Sequence, residues 1–234
     1  MMPKDPLQTV LELLNHAIHE HPTLTPHVLK IIQSNYVGAF SPDFLEWVER
    51  SYAAPSPDSV KQQVFLRNNL SNSTWIETGT LYGDTSDFLS RLAIFVHTTE
   101  PEPELFEKAK QRFKHHKNIM VHNEISEIFL PRILPTLSGN VCFWLDGHYS
   151  AGLTFAGPND TPLREELRAI RDNIRRFDNI AILIDDIRLC GKQHIYGSYP
   201  SLSELVAFSD DLGLLWYIEH DIFVAKSKPI PAQS

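Results

Sequence analysis

Apolar positions along the chain follow two regimes that meet near residue 58. Before it, Leu7, Val10, Leu11, Leu14 and Ile18 recur at helical spacing. "TPHVLKIIQSNYV" and "SPDFLEWVERSY" each open with a hydroxyl residue followed by proline, Thr25–Pro26 and Ser41–Pro42, the pairing of a capped first turn. Residues 1–58 are therefore expected to form a small helical extension of three short helices, closed by "AAPSPDS". Beyond it, after helical "VKQQVFLRNNL", short and nearly continuous apolar runs alternate with amphipathic stretches. "STWIET", "AIFVHTTE", "NIMVHNE", "NVCFWLD" and "NIAILIDD" read as parallel strands covered on both faces. "DTSDFLSRL", "PELFEKAKQRF", "SEIFLPRILPTL" and "TPLREELRAIRDNIRRF" read as the helices between them. Such alternation predicts βαβ units and an α/β, Rossmann-like, mostly parallel sheet over 59–228. A helix at "SLSELVAFSDDLG" is followed by two strand-length runs meeting at His220–Asp221, a hairpin that makes the last strand antiparallel. Residues 229–234 read as a frayed tail.

Composition narrows the function classes. Of 234 residues 42% are apolar and 21% charged, as in soluble globular chains, and the formal net charge is −8. That balance argues against a nucleic-acid-coating surface. The basic stretches Lys108–Lys117 and Arg171–Arg176 read as solvated helix faces, and His16, His19, His21 and His27 as surface histidines. No apolar run reaches the roughly 18 residues of a membrane span. The N-terminus carries charges in place of a signal peptide's apolar core. Cys142 and Cys190 have no paired spacing and are expected as reduced thiols in the cytoplasm.

Candidate chemistry concentrates where the strands end. Ligands of doubly wound sheets sit outside the carboxyl ends of the strands, at the point where strand order reverses. The five parallel runs end at Glu77, Glu100, Asn123–Glu124, Asp146 and Asp185–Asp186, so each closes on a carboxylate. The loop after the first run, "IETGTLYGDTS", has Gly79 and Gly83 to allow close backbone approach and a sharp turn. Leu81 stands where a pyrophosphate-binding loop has its middle glycine, which disfavours NAD or FAD. Glu100, about twenty residues on, is placed to accept from the ribose hydroxyls of an adenosyl cofactor. Adjacent strands lie about 4.8 Å apart. Asp146, Asp185 and Asp186 can therefore converge as oxygen donors for a hard divalent ion such as Mg²⁺. Such an ion would lower the pKa of a substrate hydroxyl, and His148 could take its proton. Read separately, the same residues are only loop caps and turn polar groups.

The stretches "IETGTLYGDTSDFL", "TTEPEPELFEKAKQRF", "FWLDGHYSAG", "GPNDTPLREELRAI" and "ILIDDIR" resemble the class I S-adenosylmethionine-dependent methyltransferases. The likeness is to bacterial proteins of the macrocin O-methyltransferase group, over about residues 60–226. It implies a seven-stranded sheet ending in the hairpin. It also implies S-adenosyl-L-methionine as cofactor, held by Glu77, Thr78, Gly79, Thr80, Gly83, Asp84 and Thr85 around the methionine end and by Glu100 at the ribose. Asn123 and Glu124 fall beside the adenine, where relatives have a Gly-Asp-Ser-like turn. Asp146 is placed at the cofactor and, with Asp185 and Asp186, at the metal. His148 departs from the acid usual there; it and Asp146 are the candidate catalytic residues. The resemblance thus implies metal-assisted O-methylation of a small hydroxylated metabolite, such as a sugar or natural product. Metal-independent transfer using His148 as base, or a non-catalytic binding protein on the same fold, are the rivals. Loops 148–162 and 188–201, the latter with Arg188, His194, Tyr196 and Tyr199, are expected to shape the acceptor pocket. The helices of 1–58 could be a lid or the face of a homo-oligomer.

Overall fold

The computed structural model of the protein describes residues 42–146, 161–190 and 199–228. The first two expected helices, His148, most of both long loops (147–160 and 191–198) and the tail from 229 lie outside the described residues.

The chain divides into two compact units, Met1–Tyr52 with Pro57–Gln63, and Ala53–Ser56 with Val64–Ser234. In the first, helix α1 (Pro42–Glu49) buries Trp47, whose ring meets Tyr52 edge-on at 5.2 Å. Ser59 Oγ donates to Asp43 Oδ2 at 2.9 Å. Helix α2 (Asp58–Asn68) carries the chain onward.

The second unit holds strands β1 (Ser73–Thr78), β2 (Phe95–Thr99), β3 (Ile119–His122), β4 (Gly139–Leu145), β5 (Phe177–Ile184), β6 (Leu215–Glu219) and β7 (Ile222–Lys226). Between them run helices α3 (Asp84–Ser90), α4 (Pro103–Arg112), α5 (Ser126–Ile133), α6 (Leu163–Asn173) and α7 (Leu202–Asp211). The strands form one seven-stranded sheet in the order β3-β2-β1-β4-β5-β7-β6. The first five are mutually parallel, and β7 runs antiparallel to both β5 and β6. This is the expected Rossmann-like arrangement with an antiparallel C-terminal hairpin. The final strand is internal: Ile182 pairs with Ala225 on one side of β7, and Tyr217 with Val224 on the other.

Strand side chains alternate between two cores, which is why these runs read as continuously apolar. Val141, Phe143 and Leu145 of β4 join Phe129, Leu130, Leu167 and Ile170 on one face. Cys142 and Trp144 join Phe65, Trp75, Leu89 and Phe113 on the other. There the Phe65 ring lies edge-on to Trp144 at 4.7 Å and to Trp75 at 5.8 Å. The stretch "SEIFLPRILPTL", expected as one helix, breaks: α5 ends at Ile133 and a 3₁₀ turn, Leu134–Thr136, follows. Pro135 in that turn has no N–H to continue the α ladder. "RDNIRRF" tightens in the same way into a 3₁₀ turn at Ile174–Arg176.

Candidate functional site at the carboxyl edge of the sheet

β1 pairs with β2 on one side and β4 on the other, so strand order reverses between β1 and β4, where such sheets take ligands. Backbone bonding carries the ladder just past the strand ends. Asp146 N–H donates to Thr78 O (3.2 Å), Asp185 N–H to Leu145 O (3.1 Å) and Glu100 N–H to His122 O (2.9 Å). The acids are thereby set out along one edge.

The loop after β1 is built by three left-handed backbone conformations. Gly79 (φ 96°), Leu81 (φ 48°) and Gly83 (φ 84°) are left-handed, and Gly79 and Thr80 N–H groups share Thr99 O at 3.1 and 3.2 Å. Helix α4 clamps this loop from outside. Arg112 Nη1 donates to Tyr82 O (2.6 Å) and Asp84 Oδ1 (2.7 Å), and the Phe113 ring closes over Gly83. Asp84 is thus spent on the clamp, and Thr85 lies half-buried in the first turn of α3.

Beneath the loop sits Glu77, fully buried. Ser86 Oγ donates to its Oε2, while its Oε1 has no hydrogen-bond partner. Burial drives the carboxyl up to about 7; the Ser86 and Thr98 hydroxyls oppose this, and the charges of Asp146 and Glu100 add to it. Thr98 also shares its hydroxyl with Thr80, at 2.6 Å between oxygens. Glu100 is aimed by two amides, Leu81 N–H to Oε2 (2.9 Å) and Glu102 N–H to Oε1 (3.0 Å). Burial raises its pKa and those amides hold it down. Asn123 braces this corner, donating to Glu100 O (2.9 Å) and Pro101 O (3.2 Å). Glu124 is occupied by an ion pair with Arg132 at 3.0 Å. The structure therefore brings Glu77, Thr78, Gly79, Thr80, Gly83, Glu100 and Asn123 together and turns Asp84 and Glu124 towards arginines.

The acids after β4 and β5 are distributed differently from the expected metal set. The carboxylates that converge within 4.8 Å are those of Asp185, Asp186 and Asp221; Asp146 is not a member of this group. Asp186 is left-handed (φ 57°), and Arg188 bonds through one nitrogen to both Asp186 and Asp221. A guanidinium already neutralises two of the three acids, so as arranged they do not fit a divalent ion, which needs several free oxygens at about 2.0–2.1 Å for Mg²⁺. Arg188, expected near the acceptor, is a partner of these acids.

Asp146 and Asp185 instead line a cleft with Glu166, Thr161 and Tyr199, walled by Leu163 among others. Glu166 is not among the residues the sequence marks by strand-end position, yet its helix carries a signal for it. In α6 the buried positions are Leu163, Glu166, Leu167, Ala169 and Ile170, which places an acid on the apolar stripe. Glu166 is 1% exposed and its Oε1 has no hydrogen-bond partner. Burial pushes this carboxyl up to about 7, opposed by the Ser126 and Thr78 hydroxyls. The Thr78 hydroxyl favours the charged form yet makes no hydrogen bond of its own, so its geometry falls short of one. Burial, followed by the charges of Asp186 and Asp146, raises Tyr199 and keeps its phenol neutral.

One pH effect follows. The folded Glu166 keeps its proton up to about 7, whereas the unfolded carboxyl loses it near 4.5. Folded protein then binds the extra proton, so this residue's contribution to stability falls as pH rises between those values. His97, lowered to about 4 chiefly by burial, acts in the opposite sense over part of this range, so the comparison must be with a variant. Urea unfolding at several pH values is expected to show wild type losing roughly 3 kcal/mol relative to Glu166→Gln across the window. A pH-independent difference would exclude a buried, proton-holding Glu166.

No family model matches the chain, and no curated protein matches it either. Solved structures of similar fold include the N-methyltransferase NodS from Bradyrhizobium japonicum WM9, at 13% identity and a TM-score of 0.49, covering 72% of this chain and 94% of that one. The same enzyme with S-adenosyl-L-homocysteine matches at 14% identity and a TM-score of 0.47, covering 83% and 95%. The 23S rRNA methyltransferase ErmE matches at 12% identity and 0.48, covering 76% and 69%. The fold assignment of this chain rests on its own strand order, a mostly parallel seven-stranded sheet with β7 inserted antiparallel between β5 and β6.

Proposed function

We propose that this protein is an S-adenosyl-L-methionine-dependent methyltransferase acting on a small hydroxylated acceptor. The observation that carries the reading is Glu77: a wholly buried carboxyl at the switch point with one oxygen unbonded. Leaving a buried carboxylate oxygen unbonded costs about 1–3 kcal/mol or more. A cationic donor resolves that cost, and the cofactor's α-ammonium is one. Gly79 and Leu81 supply the turned backbone beside it, and Glu100, held by two amides, has lone pairs left for paired ribose hydroxyls. No basic side chain belongs to this set, which suits a cofactor without phosphates.

When bound, S-adenosylmethionine supplies an electrophilic methyl group on a sulfonium. The chain's own residues position it and the acceptor across the gap between β1 and β4, where Thr78 and Asp146 are joined through their backbones. Asp146, and His148 two residues on, are the proposed proton acceptors. We propose that transfer proceeds without the metal assistance expected of Asp146, Asp185 and Asp186, because Arg188 holds Asp186. Calorimetry with S-adenosylmethionine and S-adenosylhomocysteine tests the central claim: micromolar binding is expected, and no measurable heat would defeat it. With an acceptor in hand, turnover is expected to be unchanged by EDTA; loss of activity restored by Mg²⁺ would reinstate the metal reading.

A further inference from the structure

The cleft beyond β4 and β5 carries information about the acceptor, given the methyltransferase reading above. Three of its lining residues are carboxylic acids, Asp146, Asp185 and Glu166, and its other polar groups are the Thr161 and Tyr199 hydroxyls. Among the described residues no lysine or arginine lines it. The nearby arginines are engaged elsewhere: Arg164 on Glu204 and on Tyr199 O, Arg188 on Asp186 and Asp221. The acids alone would not define a ligand. Glu166 does, because its Oε1 is buried, without a partner, and on a helix whose other inward residues are apolar.

We infer that the acceptor carries an amino group, which enters this cleft and bonds Glu166 beside Asp146 and Asp185. An ammonium has three donors and a positive charge, so it can satisfy the unbonded oxygen and balance neighbouring carboxylates together. A hydroxyl would supply one donor and no positive charge. A carboxylate or phosphate would meet like charge at close range, so acidic acceptors are rejected. The acceptor class is thus amino-bearing and hydroxylated, with the amine as the anchor.

The test uses three fragments of one shape, cyclohexylamine, cyclohexanol and cyclohexanecarboxylate. Their binding to wild-type protein is measured by ligand-observed NMR, with and without S-adenosylhomocysteine. The amine is expected to bind about tenfold or more tightly than the alcohol, as a charge-assisted bond requires, with the carboxylate unbound. Glu166→Gln is expected to remove that preference while leaving S-adenosylhomocysteine affinity, read separately by calorimetry, unchanged. Alcohol binding equal to amine binding overturns the inference, as does an unaltered amine preference in Glu166→Gln. Displacement of the amine by millimolar MgCl₂ also overturns it, by identifying the cleft as a divalent-ion site. The fragment ranking on wild type stands even where the variant fails to fold. Absent S-adenosylhomocysteine binding with a retained amine preference would sink the cofactor reading alone.

Discussion

Glu77→Gln is expected to weaken S-adenosylhomocysteine binding at least about a hundredfold while raising the melting temperature above neutral pH. The two effects have one origin. Burial holds Glu77 near 7, so at pH 8 the folded protein carries an ionised carboxylate in a dry site with one oxygen unbonded. A neutral amide removes that charge and keeps a carbonyl for the Ser86 hydroxyl. The same change deletes the charge that would meet the cofactor's ammonium, and truncating one partner of a buried charged hydrogen bond typically costs about 2–5 kcal/mol. Calorimetry and thermal melts at pH 8 check both halves. A variant that binds the nucleoside as tightly as wild type would show that Glu77 faces something other than the cofactor.

Gly83→Ala is expected to be the most damaging single-methyl change at the site. Gly83 sits at φ +84°, and an added Cβ would lie 2.6 and 2.7 Å from Phe113 ring carbons. The left-handed backbone costs an alanine about 1–2 kcal/mol, and overpacking a filled contact adds about 1–3 kcal/mol. Together they predict a loss of about 2–5 kcal/mol in urea unfolding. Phe113→Leu should recover part of the steric loss and none of the backbone cost, which a double-mutant cycle separates. Additive effects of the two substitutions would mean the ring and the glycine do not press on one another. Because Arg112 ties the same loop to α4 through Tyr82 O and Asp84, the shift should also weaken nucleoside binding.

How much of this was legible beforehand depended on whether the cue was local. "STWIET" is readable as β1, its expected end at Glu77 falling one residue short, because its short apolar run and its acid are contiguous. The carboxyl edge was readable for the same reason, since the end of a strand is a position in sequence. Pairings across the fold were not. Two adjacent strand-end aspartates suggested a common focus with Asp146. The left-handed turn at Asp186 and the arrival of Asp221 from the hairpin instead direct Asp186 to Arg188, while Asp185 alone stays with Asp146 on the cleft. Nothing local links Arg188 to a residue 33 positions away. Glu166 carries no contiguous cue: an acid in "LREELRAI" looks solvated unless its place on the Leu163–Leu167–Ile170 stripe is counted. Its neighbour Glu165, one position off that stripe, is indeed exposed.

The place of β7 sets an order of events for a chain made from its N-terminus. β5 can pair with β4 as soon as both are synthesised, but its other flank stays open until Ile222–Lys226 emerges to slot in antiparallel. Until then Ala181 to Ile184 present an uncapped apolar ribbon to anything that can add a strand, including another nascent copy. Asp221 arrives on the same hairpin, so the grip of Arg188 on its two acids also closes last. Sheet completion and charge balance at the carboxyl edge thus coincide, and a holdase acting before β7 pairs would find its target on β5.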